Sequence, residues 1–180
     1  DFAADYFYFV LKRLDSWGLN TIGNWSAPEL MQASKKPYVV SVLERGKGVP
    51  RHAKFHIYDF TAPNFEETMR AAIREKFATD ETLRHAAKDP MCIGFFVDNE
   101  LQFQKWIPDV GEVVAAPYLD LYFRICREEL AKAAPGKMYL GSRFVGFRQA
   151  GILWRTAAKY CDVITVNAYA NSVFNLSEKM

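Results

Sequence analysis

The sequence predicts an α/β fold built from repeated strand–helix units. Short apolar runs, rich in β-branched and aromatic residues, alternate with longer stretches in which apolar residues recur at helical spacing. Five of these runs have the length of strands, and each ends at a polar residue that could carry chemistry. Strands that alternate with helices in this way usually pair in parallel, so the pattern indicates one parallel sheet covered by helices.

The elements follow one another regularly along the chain. Strands are predicted at 18–23, 38–42, 93–97, 138–141 and 162–167. Helices are predicted at 2–16, in a short segment opened by Ser26 or Pro28, and at 64–77, 80–88, 112–134 and 149–160. The helix at 112–134 is expected to begin near Pro117, and the section 44–63, rich in Gly, Pro and His, is expected to be irregular.

Two architectures fit these elements: an open doubly wound sheet and part of a (β/α)8 barrel. A doubly wound nucleotide enzyme would carry a glycine-rich phosphate loop after an early strand, and the chain has neither GxGxxG nor a P-loop. A barrel places its active site at the carboxyl ends of the strands. The polar strand ends are Asn24-Trp25, Glu44-Arg45, Asp98-Asn99-Glu100, Ser142-Arg143 and Asn167-Ala168-Tyr169. They favour the barrel.

The length of the chain indicates an incomplete barrel. A complete (β/α)8 barrel takes about 250 residues, whereas this chain has 180 residues and five predicted strands. We expect it to hold roughly strands 2 to 6, with one strand before Asp1 and two after Met180. No internal boundary is evident, so residues 1–180 are predicted to be part of a single catalytic domain.

Composition narrows the range of partners. The net charge is +2, and no basic run is interleaved with aromatic residues as a nucleic-acid groove requires. No apolar stretch approaches the roughly 20 residues that span a bilayer. We therefore expect neither a nucleic-acid partner nor a membrane span. Aromatic residues make up 15% of the chain, and their faces can stack on sugar rings.

Glu100 is the main catalytic candidate. The buried strand 93–97 ends abruptly in Asp98-Asn99-Glu100, which delivers a carboxylate to the edge where a barrel builds its active site. Glu100 could act as a general acid/base and Asn99 could bind substrate, while Asp98 is expected to orient Arg143 or a neighbouring strand end. The structural alternative for Glu100 is a salt bridge with an Arg or Lys.

Metal and nucleophile chemistry find little support in the sequence. His52, His56 and Asp59 have a spacing that would suit ligands on a helix, but Pro50 and the irregular composition argue against a helix there. Histidines that are exposed or that anchor the loop are expected instead, and no metal site is predicted. Ser41 and Ser142 lack a nucleophile elbow, so a hydrolase triad is not expected.

Several blocks of this sequence resemble the β-agarases of glycoside hydrolase family 50. The Asn99-Glu100 pair resembles the acid/base signature of clan A retaining glycoside hydrolases, which place it after the fourth strand of a (β/α)8 barrel. The more specific blocks occur in the family's order and cover most of the chain, at 17–26, 58–65, 93–101, 139–144 and 160–169.

The resemblance implies a retaining enzyme that cleaves β-1,4 galactosidic bonds in agarose or its oligosaccharides, without a cofactor. Glu100 would be the acid/base, and Asn99 would bind the hydroxyl next to the scissile bond. The side chains expected to line the cleft are Asn24, Trp25, Asp59, Arg143, Asn167 and Tyr169, with Tyr169 near the nucleophile. A polymeric galactan partner implies an extracellular or periplasmic location, because agarose cannot enter a cell intact.

The chain departs from the family's pattern in two ways. The family usually has Trp shortly after Asn-Glu-Leu, and here that region reads Gln102 to Trp106, so the subsite walls are expected to differ. The nucleophilic Glu belongs after the seventh strand, and Glu178 follows the Asn167 strand end too closely to be that residue. The 180 residues alone are therefore expected to be inactive.

Other activities stay open at this point. One alternative is a β-galactosidase or another galactan hydrolase of the same clan, with the same mechanism and different subsites. The other is a non-catalytic galactan-binding relic that keeps the cleft aromatics without a nucleophile.

Overall fold

The computed structural model describes residues 2–169, without the side chains of Ala3 and Ala4. Its helices are α1 (Phe2–Ser16), α2 (Pro28–Ala33), α3 (Phe65–Thr79), α4 (Glu81–Lys88), α5 (Phe103–Val110), α6 (Glu112–Ala133) and α7 (Gly151–Tyr160). Its strands are β1 (Tyr38–Ser41), β2 (Cys92–Phe96), β3 (Met138–Tyr139), β4 (Phe144–Val145) and β5 (Val166–Asn167).

Parallel pairing joins strands that are consecutive in the sequence. β1, β2 and β3 form one sheet in that order, β4 pairs with β5, and Ile22 makes a parallel bridge to Tyr38 of β1. A doubly wound sheet instead reverses its strand order part of the way along. The described order is a run of strand–helix units that continues in one direction, which confirms the predicted α/β repeat.

Four of the five predicted strands are shorter in the structure, and β2 keeps its predicted length of five residues. The segment 18–23 contributes one bridge at Ile22, and the segment 162–167 pairs only at Val166 and Asn167. The segment 138–141 is a strand only to Tyr139, and a separate strand begins at Phe144. Gly141 at φ 74° and Arg143 at φ 48° turn the backbone out of the extended conformation between them, which divides the ladder.

Two helices differ from the prediction at their prolines. α5 is an addition to the predicted helices: Phe103, Trp106 and Ile107 are buried at helical spacing, and Pro108 lies inside the helix. α6 begins at Glu112 rather than near Pro117. Pro117 has no N–H for the carbonyl of Val113, but Val113 is 89% exposed, so water can satisfy that carbonyl.

An aromatic cluster lies beneath the strand ends, between the sheet and the helices α5 and α6. Phe60 is central to it, with ring centroids 4.9 Å from Trp106, 5.2 Å from Phe65 and 5.8 Å from Tyr122. Tyr58 joins the cluster 6.2 Å from Tyr122, and both tyrosines are fully buried. This packing holds two phenol hydroxyls in fixed positions below the candidate site.

Gly94 sets the distance between β2 and β3. A Cβ added at Gly94 would lie 2.4 Å from the backbone oxygen of Met138, the residue opposite it in the ladder. Backbone cannot move away from such a clash as the end of a flexible side chain can. The close parallel pairing of these two strands therefore depends on glycine at this position.

We expect Gly94→Ala to lower the free energy of unfolding by on the order of 2–3 kcal/mol, because the methyl group forces β2 and β3 apart. Gly23→Ala is the matched control, since a Cβ at Gly23 meets no atom within 4 Å. Urea titrations of the complete polypeptide would measure both. Equal effects of the two substitutions would contradict this account of the strand pairing.

Helices α3 and α6 are joined by a buried carboxylate. The Glu129 side chain is 1% exposed and accepts from Arg74 Nε at 2.7 Å, Arg70 Nη1 at 2.9 Å and Lys132 Nζ at 3.1 Å. Two more carboxylates, both partly exposed, pair with Arg70: Glu66 Oε1 and Glu128 Oε2 each lie 2.7 Å from Arg70 Nη2. The bonds from Arg74, and then those from Arg70 and Lys132, outweigh burial and lower the pKa of Glu129 to about 2.

Glu129→Gln should destabilise the protein by on the order of 3 kcal/mol, because it leaves two arginines facing a neutral side chain. The stabilisation is complete above the ordinary pKa of 4.5 and disappears as the pH falls towards about 2. The difference between the two proteins should therefore shrink between pH 4.5 and pH 2 in urea titrations.

Glu67→Gln is the control for Glu129→Gln, since Glu67 is an exposed residue of the first turn of α3. It should change stability by less than about 0.5 kcal/mol. A difference between wild type and Glu129→Gln that does not change with pH would show that packing, and not the charge of Glu129, holds the two helices together.

Candidate active site at the strand ends

Strained backbone marks the carboxyl ends of the strands. Within residues 2–169, the non-glycine residues with positive φ are Trp25 (64°), Arg45 (59°), Asp98 (65°), Glu100 (53°) and Arg143 (48°). They follow the Ile22 bridge, β1, β2 and β3. Such conformations cost free energy, persist only where the surroundings impose them, and concentrate at functional sites. This edge of the sheet is therefore the main candidate for a functional site.

Asp98 is the buried anchor of this edge. Its side chain is fully buried, and Oδ1 accepts from Tyr58 Oη at 2.6 Å and from the backbone N–H of Arg45 at 2.7 Å. Oδ2 accepts from Tyr122 Oη at 2.9 Å. Burial raises the pKa of Asp98, and the three bonds oppose that shift.

The contacts of Asp98 decide between its two predicted roles. It holds a neighbouring strand end, because Arg45 follows β1. Arg143 is not among the partners of Asp98 in the described part of the chain, so of the two alternatives the structure supports the neighbouring strand end. The place of Arg143 is taken by two phenols from the aromatic cluster beneath the sheet.

Glu100 is half-buried, and side chains from the next strands contact one of its oxygens. Oε1 accepts from Asn167 Nδ2 at 2.8 Å and from Tyr169 Oη at 3.3 Å. The Glu100 backbone N–H donates to the carbonyl of Arg143 at 3.2 Å, which ties the end of β2 to the end of β3. Among residues 2–169, no Arg or Lys pairs with Glu100, so the alternative of a structural salt bridge has no contact to support it.

Asn167 connects several of the predicted site residues. Its Nδ2 donates to Asn99 Oδ1 at 3.0 Å as well as to Glu100, and its Oδ1 accepts from Arg143 Nε at 3.0 Å. Arg143 in turn lies over the ring of Trp25, with 4.4 Å from Cζ to the centroid. Trp25 is 57% exposed, and its indole N–H donates to Glu44.

The structure thus brings six of the eight predicted site residues together, namely Asn99, Glu100, Trp25, Arg143, Asn167 and Tyr169. Asn24 is adjacent to Trp25, shares with it the lining of a cavity of about 680 Å³, and has a buried Nδ2 with no partner among the described residues. Asp59 has no hydrogen bond to these residues in the described part of the chain. Its Oδ1 accepts from the N–H and the hydroxyl of Thr61, in the turn before α3.

Sequence reasoning missed three residues of this region. Tyr122 lies at a core position of α6, where spacing cannot distinguish a packing tyrosine from a hydrogen-bond donor. Glu44 was noted only as a polar strand end, and Tyr58 only within the block 58–65, without a role for either. Their partners are distant in the chain, so only the fold shows what they bond.

The His52 side chain anchors the loop after β1, as predicted, whereas His56 is held there by its backbone. His52 Nδ1 accepts from the backbone N–H groups of Lys54 and Phe55. His56 exchanges two bonds with Gln102, through its N–H and its carbonyl. Burial lowers the pKa of His56, Arg45 and Arg51 lower it further, and Glu100 raises it. Residues 2–169 contain no cluster of three or more acidic, His or Cys side chains arranged to hold a metal.

No helix in the described part of the chain combines the length and the apolarity needed to cross a bilayer. The geometry of the strand ends makes a polar site, built from a carboxylate, two amides, an arginine and exposed aromatic rings, the main candidate for function. Carbohydrates are bound by side chains of these kinds.

Comparisons with known proteins point the same way. The chain is 23% identical, over an alignment of 240 residues, to beta-agarase B of Vibrio sp. (strain JT0107), covering 91% of this chain and 24% of that protein. No family model matches. The chain therefore spans about a quarter of the length of this curated relative.

Solved agarase structures share the fold of this chain. The agarase AgWH50C superimposes with a TM-score of 0.75 at 21% identity, covering 99% of this chain and 33% of that one. PfGH50B superimposes with a TM-score of 0.74 at 19% identity, covering 96% of this chain and 34% of that one. An exo-beta-agarase superimposes with a TM-score of 0.71 at 19% identity, covering 93% of this chain and 32% of that one. The resemblance to family 50 β-agarases is confirmed by these relatives.

Asp98→Ala should lower the free energy of unfolding by about 3–5 kcal/mol, because it leaves buried donors on Tyr58, Tyr122 and Arg45 without an acceptor. Asp98→Asn should lower the free energy of unfolding by clearly less than Asp98→Ala does. Its oxygen can accept from Tyr58 and Arg45, and its amide can donate to Tyr122, whose hydroxyl can then bond Ser142 at 3.0 Å. Urea titrations that give the same loss for both variants would contradict this role of Asp98.

Proposed function

We propose that the complete polypeptide is a retaining glycoside hydrolase that cleaves β-1,4 galactosidic bonds in agarose or its oligosaccharides. The observation that carries the proposal is the placement of Glu100 at the carboxyl end of β2, where Asn167 and Tyr169 bond its Oε1. Agarases among the relatives and structural neighbours support the substrate class.

Glu100 is the acid/base in this proposal. A retaining glycosidase needs one carboxylic acid that protonates the leaving oxygen and then, as a base, activates water. A second carboxylate about 5–5.5 Å away forms the covalent intermediate. That second residue belongs after the seventh strand of the barrel, so it is assigned to a part of the polypeptide beyond these 180 residues. Residues 1–180 alone are accordingly expected not to hydrolyse substrate.

The barrel itself is part of the proposal. The consecutive parallel order from Ile22 through β5 is the order of a (β/α)8 barrel, in which each strand lies next to its predecessor. In this arrangement the segment at Ile22 is the second strand, β1 the third and β2 the fourth. β3 and β4 together are the fifth strand, and β5 is the sixth. Residues 1–180 would then be part of a single catalytic domain.

Substrate contacts are proposed for Asn99 and for the aromatic side chains beside it. Asn99 is half-buried next to Glu100, which suits a bond to the hydroxyl beside the scissile linkage. The rings of Trp25 and Tyr169 are 57% and 89% exposed, so sugar rings can reach them. Asn24 and Asp59 remain predicted cleft residues. A polymeric galactan as partner implies an extracellular or periplasmic location.

Glu100→Gln in the complete polypeptide should reduce kcat on agarose and neoagaro-oligosaccharides by about 10²–10⁴-fold, because the proton donor is lost. Its melting temperature should stay close to that of the wild type, since a polar strand-end residue contributes little to the core. Mass spectrometry of the products would measure turnover, and even-numbered neoagaro products from the wild type are expected. Glu81→Gln, on the exposed first turn of α4, is the matched control.

Each alternative gives a different result in the same assay. Hydrolysis of other β-galactosides without cleavage of agarose would support a β-galactosidase or another galactan hydrolase. Binding of agarose by a folded, complete polypeptide that cleaves nothing would support the galactan-binding relic. Unchanged turnover by Glu100→Gln would refute the role assigned to Glu100.

A further inference from the structure

We propose that Trp25, Arg143 and Asn167 form a positioning relay that fixes which oxygen of Glu100 carries its proton. The inference rests on the proposed function, because it concerns the acid/base of that reaction. It reassigns Arg143 and Asn167, since the resemblance implies that both line the cleft as substrate-binding residues. Their contacts instead join them to each other and to Glu100.

The first step of the relay is the orientation of the Asn167 amide. An amide can turn over and exchange its oxygen and nitrogen, so its orientation is decided by its partners. Arg143 Nε–H can only donate, and it lies 3.0 Å from Asn167 Oδ1. The opposite end must therefore be the NH₂ group, which donates to Glu100 Oε1 and Asn99 Oδ1. Without Arg143, an inverted amide would place an oxygen against Glu100.

The second step is the fixation of Arg143 itself. Its guanidinium lies 4.4 Å from the ring centroid of Trp25 and 5.2 Å from that of Phe96, so it stacks against two aromatic rings. Phe96 is the last residue of β2 and is buried. Trp25 is held by the bond from its indole N–H to Glu44 and by its left-handed backbone. A planar guanidinium can stack and donate from Nε together, whereas an ammonium cannot.

The third step concerns the proton. Oε1 of Glu100 accepts from Asn167 and from Tyr169, so it is occupied as an acceptor. Residues 2–169 place no hydrogen-bond donor on Oε2. The proton of the neutral acid therefore resides on Oε2, which is the oxygen that delivers it to the glycosidic oxygen. The relay thus keeps one defined oxygen of Glu100 ready for proton transfer.

The experiment separates proton transfer from sugar binding by the choice of leaving group. Departure of a sugar hydroxyl needs a proton from Glu100, whereas 2,4-dinitrophenolate leaves without one. Arg143→Met should therefore lower kcat on a neoagaro-oligosaccharide by about 10²-fold and change KM by less than about threefold. The initial burst of dinitrophenol from a 2,4-dinitrophenyl glycoside of the same sugar should stay within about threefold of wild type.

Further variants provide controls for folding and charge. Arg143→Lys keeps the charge and should recover little of the lost kcat, because it cannot both stack and orient the amide. Asn167→Asp has the shape of Asn and keeps the bond from Arg143, but it loses the donor to Glu100, so it should repeat the pattern of Arg143→Met. Arg148→Met removes an exposed arginine that lies between β4 and α7, and it should leave both activities unchanged.

Other results overturn the relay. Equal losses on the oligosaccharide and the dinitrophenyl glycoside, or a rise in KM alone, would show that Arg143 binds sugar and would leave the proposed function intact. A complete wild-type polypeptide that hydrolyses no galactoside would instead remove the proposed function and the relay together. A fully active Glu100→Gln variant would refute the acid/base role of Glu100, and the relay with it.

Discussion

The candidate site depends above all on the burial of Asp98. This carboxyl group ends a fully apolar strand and lies inside the protein, where three donors satisfy it. Two donors, Arg45 and Tyr58, come from the segment between β1 and α3, and the third, Tyr122, comes from the long helix α6. Asp98 therefore joins the end of β2 to two other parts of the chain. A buried carboxyl without those bonds would be strongly unfavourable, and for this reason the surrounding elements must keep their positions.

Glu100 owes its place to this anchor. With Asp98 bonded inward, the backbone passes through left-handed conformations at Asp98 and Glu100 and emerges at the end of β2. The backbone N–H of Glu100 then donates to the carbonyl of Arg143, another residue with positive φ. The strain is therefore maintained by hydrogen bonds between adjacent strand ends, which is the condition under which strained residues persist at functional sites.

Stability and function are separated within the fold. The Glu129 ion pairs between α3 and α6 contribute to stability and do not contact Glu100 among the described residues. The aromatic cluster reaches the site through the hydroxyls of Tyr58 and Tyr122, which bond Asp98. The strand ends carry the charged and amide groups whose arrangement is specific. A similar division exists in barrel enzymes, where the carboxyl face of the strands holds the chemistry and the remainder of the barrel holds the fold.

The sequence by itself determined the alternation of strands and helices, the buried strand that ends at Asp98, and the presence of Glu100 at the edge of the sheet. These features follow from local periodicity and from the polarity of adjacent residues. Only the tertiary structure decided that Asp98 bonds Tyr58 and Tyr122, that Asp59 bonds Thr61, and that Asn167 meets Glu100. Asn167 and Glu100 are 67 positions apart. Whether such side chains meet depends on how parallel strands align across the sheet, and hydrophobic patterning leaves that alignment open.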